Sequence, residues 1–97
     1  MGPEVQTYVI YDIQDDRVRY RIANVCKDYG LARVQFSAFA GPLNANKREE
    51  LFLRLCRDLG EHQGKVLVLP VCEKDEKAKR ELIIHEEPKV LASEEPV

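Results

Sequence analysis

Residues Tyr8 to Ile22 read YVIYDIQDDRVRYRI, and this stretch decides the fold. It opens as an apolar run of β-branched and aromatic residues, the pattern of a strand covered on at least one face. The run stops on Asp12. Asp15 and Asp16 follow, where a short carboxylate accepts the free backbone N–H groups of a starting helix. Val18, Ile22, Val25, Cys26 and Tyr29 then fall on one helical stripe, and Gly30 supplies a stop. The stretch is a strand handing over to an amphipathic helix. It leaves Asp12 at the strand tip, with Arg17, Arg19 and Arg21 close behind.

Working outward, the strand begins at Val5. After Gly30, RVQFSAFAG (Arg33 to Gly41) reads as two strands with a reversal or bulge near Gln35 to Ser37, and GPLN (Gly41 to Asn44) as a turn. Asn44 or Asn46 caps a second helix, whose stripe is Leu51, Phe52, Leu55, Cys56 and Leu59, closed by Gly60. KVLVLPVCE (Lys65 to Glu73) is the last strand of the core. Pro70 cannot donate a ladder hydrogen bond, so this strand belongs at a sheet edge. The order β-α-β-β-α-β predicts a ferredoxin-like α+β sandwich. Residues 1–73 form this domain. Residues 74–85 form an extension that opens with a charged loop or helical turn and carries a short fifth strand at Leu82 to Ile84. Residues 86–97 form a flexible acidic tail.

Bulk properties narrow the function. The chain has 97 residues, enough for one domain with a modest core. Its longest apolar run, Val66 to Cys72, is too short to span a bilayer, so no membrane role is expected. The first residues lack the basic segment of a signal peptide. Cys26, Cys56 and Cys72 lie in apolar stretches without paired spacing and read as reduced, buried thiols, as in a cytoplasm. His62 and His85 lack zinc-site companions. Net charge is −2, so any nucleic-acid surface is a local patch. Residues through Cys72 carry ten Lys/Arg against nine Asp/Glu, and the remainder five against eight.

The segment Tyr11 to Asn44 resembles the Cas-two family of small CRISPR-associated adaptation proteins. The residues that carry the resemblance are Tyr11-Asp12-Ile13, Asp15-Asp16, Arg19 and Arg21, Gly30-Leu31, Arg33-Val34-Gln35, and Ser37-Ala38-Phe39-Ala40-Gly41. Ala38 stands where a β-branched residue is usual, and Ala40 where an acidic residue is common. The resemblance implies a prokaryotic, cytoplasmic homodimer whose C-terminal strand crosses to its partner's sheet. It also implies one of two roles: a metal-dependent endonuclease on RNA or DNA, or a non-catalytic dimer that bridges the CRISPR integrase, Cas-one, and holds DNA.

The endonuclease role makes Asp12 the metal ligand and catalytic residue. Mg²⁺ or Mn²⁺ would be shared between the two Asp12 of a dimer, since a symmetric contact brings a residue near its own copy. Without metal, two facing carboxylates would raise one of the pair's apparent pKa values. By itself Asp12 reads better as a strand-ending residue bonded to turn amides; the resemblance brings the metal-site reading level with it. Tyr11 either orients water or a phosphate oxygen or packs. Arg17, Arg19, Arg21 and Arg33 are candidate phosphate contacts or solvated flanks of the core. Ser37 is a candidate hydrogen-bond donor near the metal. Phe39 fits the core or the dimer seam better than base stacking. Lys47, Arg48, Arg54 and Arg57 read as a soluble helix face. A third function class, small-ligand sensing, also uses ferredoxin-like domains but leaves the Asp-Arg cluster without a role.

Overall fold

Strand β1, Val5–Asp12, runs through the middle of a computed structural model that describes residues 2–84. Thr7, Val9 and Tyr11 are buried, whereas Ile10 and Asp12 are exposed. Successive strand residues point to opposite faces, so this alternation means that the helices cover one face of the sheet.

Helix α1, Asp16–Asp28, starts where Asp15 accepts hydrogen bonds from the Arg17 and Val18 backbone N–H at 2.9 and 3.1 Å. The Val18 bond above all, with help from the Arg17 bond, holds the Asp15 carboxyl below the usual carboxylate range against the opposing cost of burial. Asp15, rather than Asp16, is therefore the cap. After α1 the chain turns on Gly30 with φ of 80°, left-handed backbone that costs a residue with a Cβ. Strands β2, Ala32–Gln35, and β3, Ala38–Leu43, follow with a two-residue reversal at Phe36 and Ser37 and a register irregularity between Arg33 and Gln35. Helix α2, Ala45–Leu59, is capped by Asn44, which accepts from the Lys47 N–H at 2.8 Å. Strand β4, Lys65–Val71, and the short helix α3, Glu73–Ala78, complete the described elements.

The sheet order is β2-β3-β1-β4, with every neighbouring pair antiparallel. This is the expected ferredoxin-like arrangement, and Pro70 lies on the edge strand β4, paired with Thr7. The core joins Val9, Tyr11 and Phe39 of the sheet to Val18, Ile22 and Cys26 of α1 and Leu51 and Leu55 of α2. Burying each large side chain contributes about 1.5–3 kcal/mol, and that attraction folds both helices onto one face.

Three expectations need correction. Gly41 to Leu43 continue β3 rather than turning, because Thr7, Gln6 and Val5 pair with them. Pro42 is tolerated there because β2 pairs no further along β3 than Ala40. Cys56 and Cys72 are exposed, and only Cys26 is buried. Cys56 lies off the side of α2 that meets the core, and Cys72 is the N-cap residue of α3. Phe52 is also exposed, so the buried stripe of α2 is narrower than its apolar residues suggest. Leu82 to Ile84 stand exposed and pair with no strand of the same chain among the described residues; the crossing strand expected there pairs with a partner's sheet. The acidic tail at 86–97 lies outside the described residues. No described helix is long and apolar enough to cross a membrane.

Candidate functional site

The face of the sheet opposite α1 and α2 carries Asp12. Register places Tyr8 across from Leu69, Ile10 across from Leu67, and Asp12 across from Lys65. Paired residues share a face, so Ile10, Leu67 and Leu69 make an apolar row, each 42–45% exposed. Helix α3 lies against one end of this row. The Tyr8 hydroxyl donates to Glu76 Oε1 at 2.8 Å, Lys79 Nζ donates to the Tyr8 oxygen at 2.8 Å, and Lys79 pairs with Glu76 Oε2 at 2.7 Å. The hydrogen bonds from Lys79 and then Tyr8 hold the Glu76 carboxyl below its usual range. Asp12 stands at the other end of the row.

Asp12, Gln14, Gln63, Gly64 and Lys65 line a hollow of about 350 Å³. Gly64 is required by close approach: a Cβ there would sit 2.8 Å from Ile13 Cγ1 and 3.3 Å from the Asp12 carbonyl oxygen. Hard divalent cations prefer oxygen ligands. The hollow offers the Asp12 carboxylate and the amide oxygens of Gln14 and Gln63, which suit such a cation in donor type, while the Lys65 ammonium opposes it. Among the described residues, no cluster of three or more His, Cys, Asp or Glu is placed to hold a metal. One chain therefore brings one carboxylate to the hollow. Lys65, Gln14 and Gln63 were not singled out from the sequence; only the strand register and the loop path bring them beside Asp12.

The remaining candidates gather on the other face. Tyr11 is buried and points away from Asp12, with its ring stacked on Phe39 at 6.4 Å between centroids. Its backbone N–H donates to the Ser37 carbonyl at 3.0 Å, which ties the β2–β3 reversal to β1. Phe39 is fully buried in the core, as its packing reading requires. The Arg33 guanidinium lies 4.7 Å from the Phe39 ring centroid and donates to the Phe36 carbonyl. Arg19 donates to the Ile13 carbonyl at 2.8 Å, pairs with Asp16, and lies 5.4 Å from the Phe36 ring centroid. Arg17 and Arg21 are exposed on α1. Arg19 and Arg33 thus converge beside Tyr11, and the structure does not bring Tyr11 to Asp12 within one chain.

Four antiparallel strands under two helices, an acidic tip on the central strand and an arginine-bearing first helix define a small ferredoxin-like α+β protein. The family described as CRISPR associated protein Cas2 matches residues 6–79, and the chain belongs to that family. It is 54% identical over 71 residues to a protein of Desulforudis audaxviator named CRISPR-associated endoribonuclease Cas2, spanning 73% of this chain and 67% of that one. It is 45% identical over 49 residues to a Thermoproteus tenax protein named CRISPR-associated endonuclease Cas1/endonuclease Cas2 fusion, covering 50% of this chain and 19% of the fusion. A solved structure entitled Crystal structure of cas2 superimposes with a TM-score of 0.67 at 26% identity, over 97% of this chain and 99% of that one.

Proposed function

We propose that this chain works in CRISPR adaptation as a homodimer that binds nucleic acid and hydrolyses phosphodiester bonds of RNA or DNA through Asp12. The observation that carries this reading is the uncovered row of Ile10, Leu67 and Leu69 with Asp12 at its end. A second copy covering that row would remove apolar surface from water, worth about 25 cal/mol per Å². Symmetry would bring the Asp12 pair together if the twofold passes near the strand tip. The names of the relatives support the nuclease chemistry.

In this reading the two Asp12 carboxylates hold Mg²⁺ or Mn²⁺, which when bound supplies charge neutralisation at the phosphate and an activated water. Gln14 and Gln63 border the hollow and orient water or a phosphate oxygen by hydrogen bonding. Arg17 and Arg21, exposed on α1, meet the phosphate backbone without reading bases. Tyr11 has a structural part here, through its N–H to Ser37 and its stacking on Phe39.

The test is cleavage of labelled RNA and duplex DNA by wild type and Asp12→Ala, with and without EDTA. Cleavage should vanish in the variant and in EDTA, while sedimentation still reports a dimer. Equal cleavage by both proteins overturns the catalytic assignment, and a monomer at working concentration overturns the dimer.

A second reading, a non-catalytic dimer bridging Cas1 subunits on DNA, is favoured by the Thermoproteus tenax fusion. It expects Asp12→Ala to leave spacer acquisition intact. It also expects Arg17→Ala to lower the salt slope of duplex binding by about 0.9, the share of one neutralised phosphate.

A further inference from the structure

Tyr11 is 3% exposed, and its buried hydroxyl has no hydrogen-bond partner of ordinary geometry among the described residues, although the Arg33 guanidinium lies beside it. Such an orphan is uncommon, because an unmet buried polar group costs stability. Tyr11 lines a cleft of about 250 Å³ between α1 and the β2–β3 reversal, together with Arg19, Asn24, Lys27, Arg33 and Phe36. Three cations there face one carboxylate, Asp16, which Arg19 already engages. The buried hydroxyl is a donor in need of an acceptor. At the mouth, Phe36 and Tyr20 are 73% and 68% exposed, large aromatic faces beside a positive cleft.

We propose that this cleft binds the phosphate monoester of a nucleotide, with the base on the exposed aromatics. A monoester carries close to two negative charges at neutral pH and three acceptor oxygens. A backbone diester carries one charge. The cleft's excess of two positive charges suits the monoester, as does its spread of donors: two guanidiniums, an ammonium, an amide and a phenol. Arg33 now spends a donor on the Phe36 carbonyl. A bound phosphate replaces that carbonyl as acceptor, in the cleft that Tyr11 also lines. Aromatic faces stack bases of any identity, so the site reads the phosphate rather than the sequence. The choice of phosphate over other anions rests on the nucleic-acid reading above. The monoester comes either from a free nucleotide or from the phosphorylated end of a strand.

The full chain is titrated calorimetrically with AMP, with adenosine, and with one short single-stranded oligonucleotide bearing either a 5′-phosphate or a 5′-hydroxyl. AMP should bind at least about tenfold more tightly than adenosine, the scale of a charged hydrogen-bond set. Tyr11→Phe should weaken AMP about tenfold without lowering the melting temperature, because it removes an unpartnered hydroxyl. Lys27→Gln, at an exposed position, should weaken AMP as well and serves if Tyr11→Phe folds poorly. A purely structural Tyr11 hydroxyl would instead lower the melting temperature and leave AMP affinity unchanged, which overturns the proposal. If the phosphorylated oligonucleotide displaces AMP and its hydroxyl twin does not, the strand end is the source; if neither does, the free nucleotide is. Equal binding of both oligonucleotides with no binding of AMP overturns the monoester site and leaves backbone contact standing. Binding of AMP alone supports the site and sinks the backbone reading.

Discussion

Gly64→Ala tests whether the tip of β1 is positioned by contact with the loop before β4. The added methyl would lie 2.8 Å from Ile13 Cγ1, 3.3 Å from the Asp12 carbonyl oxygen and 3.4 Å from Leu59 Cδ1. The first distance is about 1 Å inside an ordinary carbon–carbon contact. Ile13 is 4% exposed, and its Cγ1 is close to the branch point, so it has little room to yield. Overpacking of this kind costs about 1–3 kcal/mol. For a domain of this size that lowers the melting temperature by about 4–24 °C. Gly30→Ala is the control: its Cβ meets nothing within 4 Å, and only the φ of 80° is penalised. Thermal denaturation followed by circular dichroism should show a loss in both variants. A double-mutant cycle with Ile13→Ala should then show coupling of at least about 0.5 kcal/mol for Gly64→Ala and none for Gly30→Ala. A Gly64→Ala protein that melts with wild type, or shows no coupling to Ile13, refutes the idea that this contact sets the strand tip.

Further outcomes follow from individual environments. Phe39→Ala empties a fully buried site under Arg33 and should cost about 3–5 kcal/mol in urea denaturation; a loss below about 1 kcal/mol would mean the core collapses around the gap. Burial pushes the Cys26 thiol up to about 12, so native protein near neutral pH should alkylate at Cys56 and Cys72 and spare Cys26, as peptide mass mapping would show. Modification of all three at equal rates would contradict the buried placement. Glu76 titrates below its ordinary value of 4.5 because Lys79, then Tyr8, bonds its ionised form. A depressed folded pKa stabilises above the unfolded value, and the benefit is lost as pH falls through the folded one. The urea midpoint of wild type should therefore exceed that of Glu76→Gln at neutral pH, and the gap should close in acid; a gap that widens in acid would refute the α3 clamp.

How much of this was legible in the sequence depends on the range of the interaction. The bounds of β1, the presence of a cap at Asp15 or Asp16 and at Asn44 or Asn46, and the stop at Gly30 were readable because each is settled within a few residues, by side-chain spacing or a single turn; the structure chose Asp15 and Asn44. The family resemblance in Tyr11 to Asn44 was readable for the same reason, being an ordered set of short motifs. The extension of β3 through Pro42 was not, because a strand partner decided it: Gln6, far away in sequence, holds Pro42 in the ladder. Cys56 and Phe52 misled because an apolar residue on a helix is buried only if another element reaches that side.

From the chain alone came the order of strands and helices, the one-sided amphipathicity of both main helices and the charged turn after Asp12, all fixed by local periodicity. Tertiary packing alone decided which face of the sheet the helices cover, so that Tyr11 is buried beneath them while Asp12 stands on the open face. It put Lys65 across from the carboxylate and gathered Arg19 and Arg33 around a phenol with no partner. Register and closure act between residues dozens of positions apart, and a pattern read along one strand carries no record of what lies beside it.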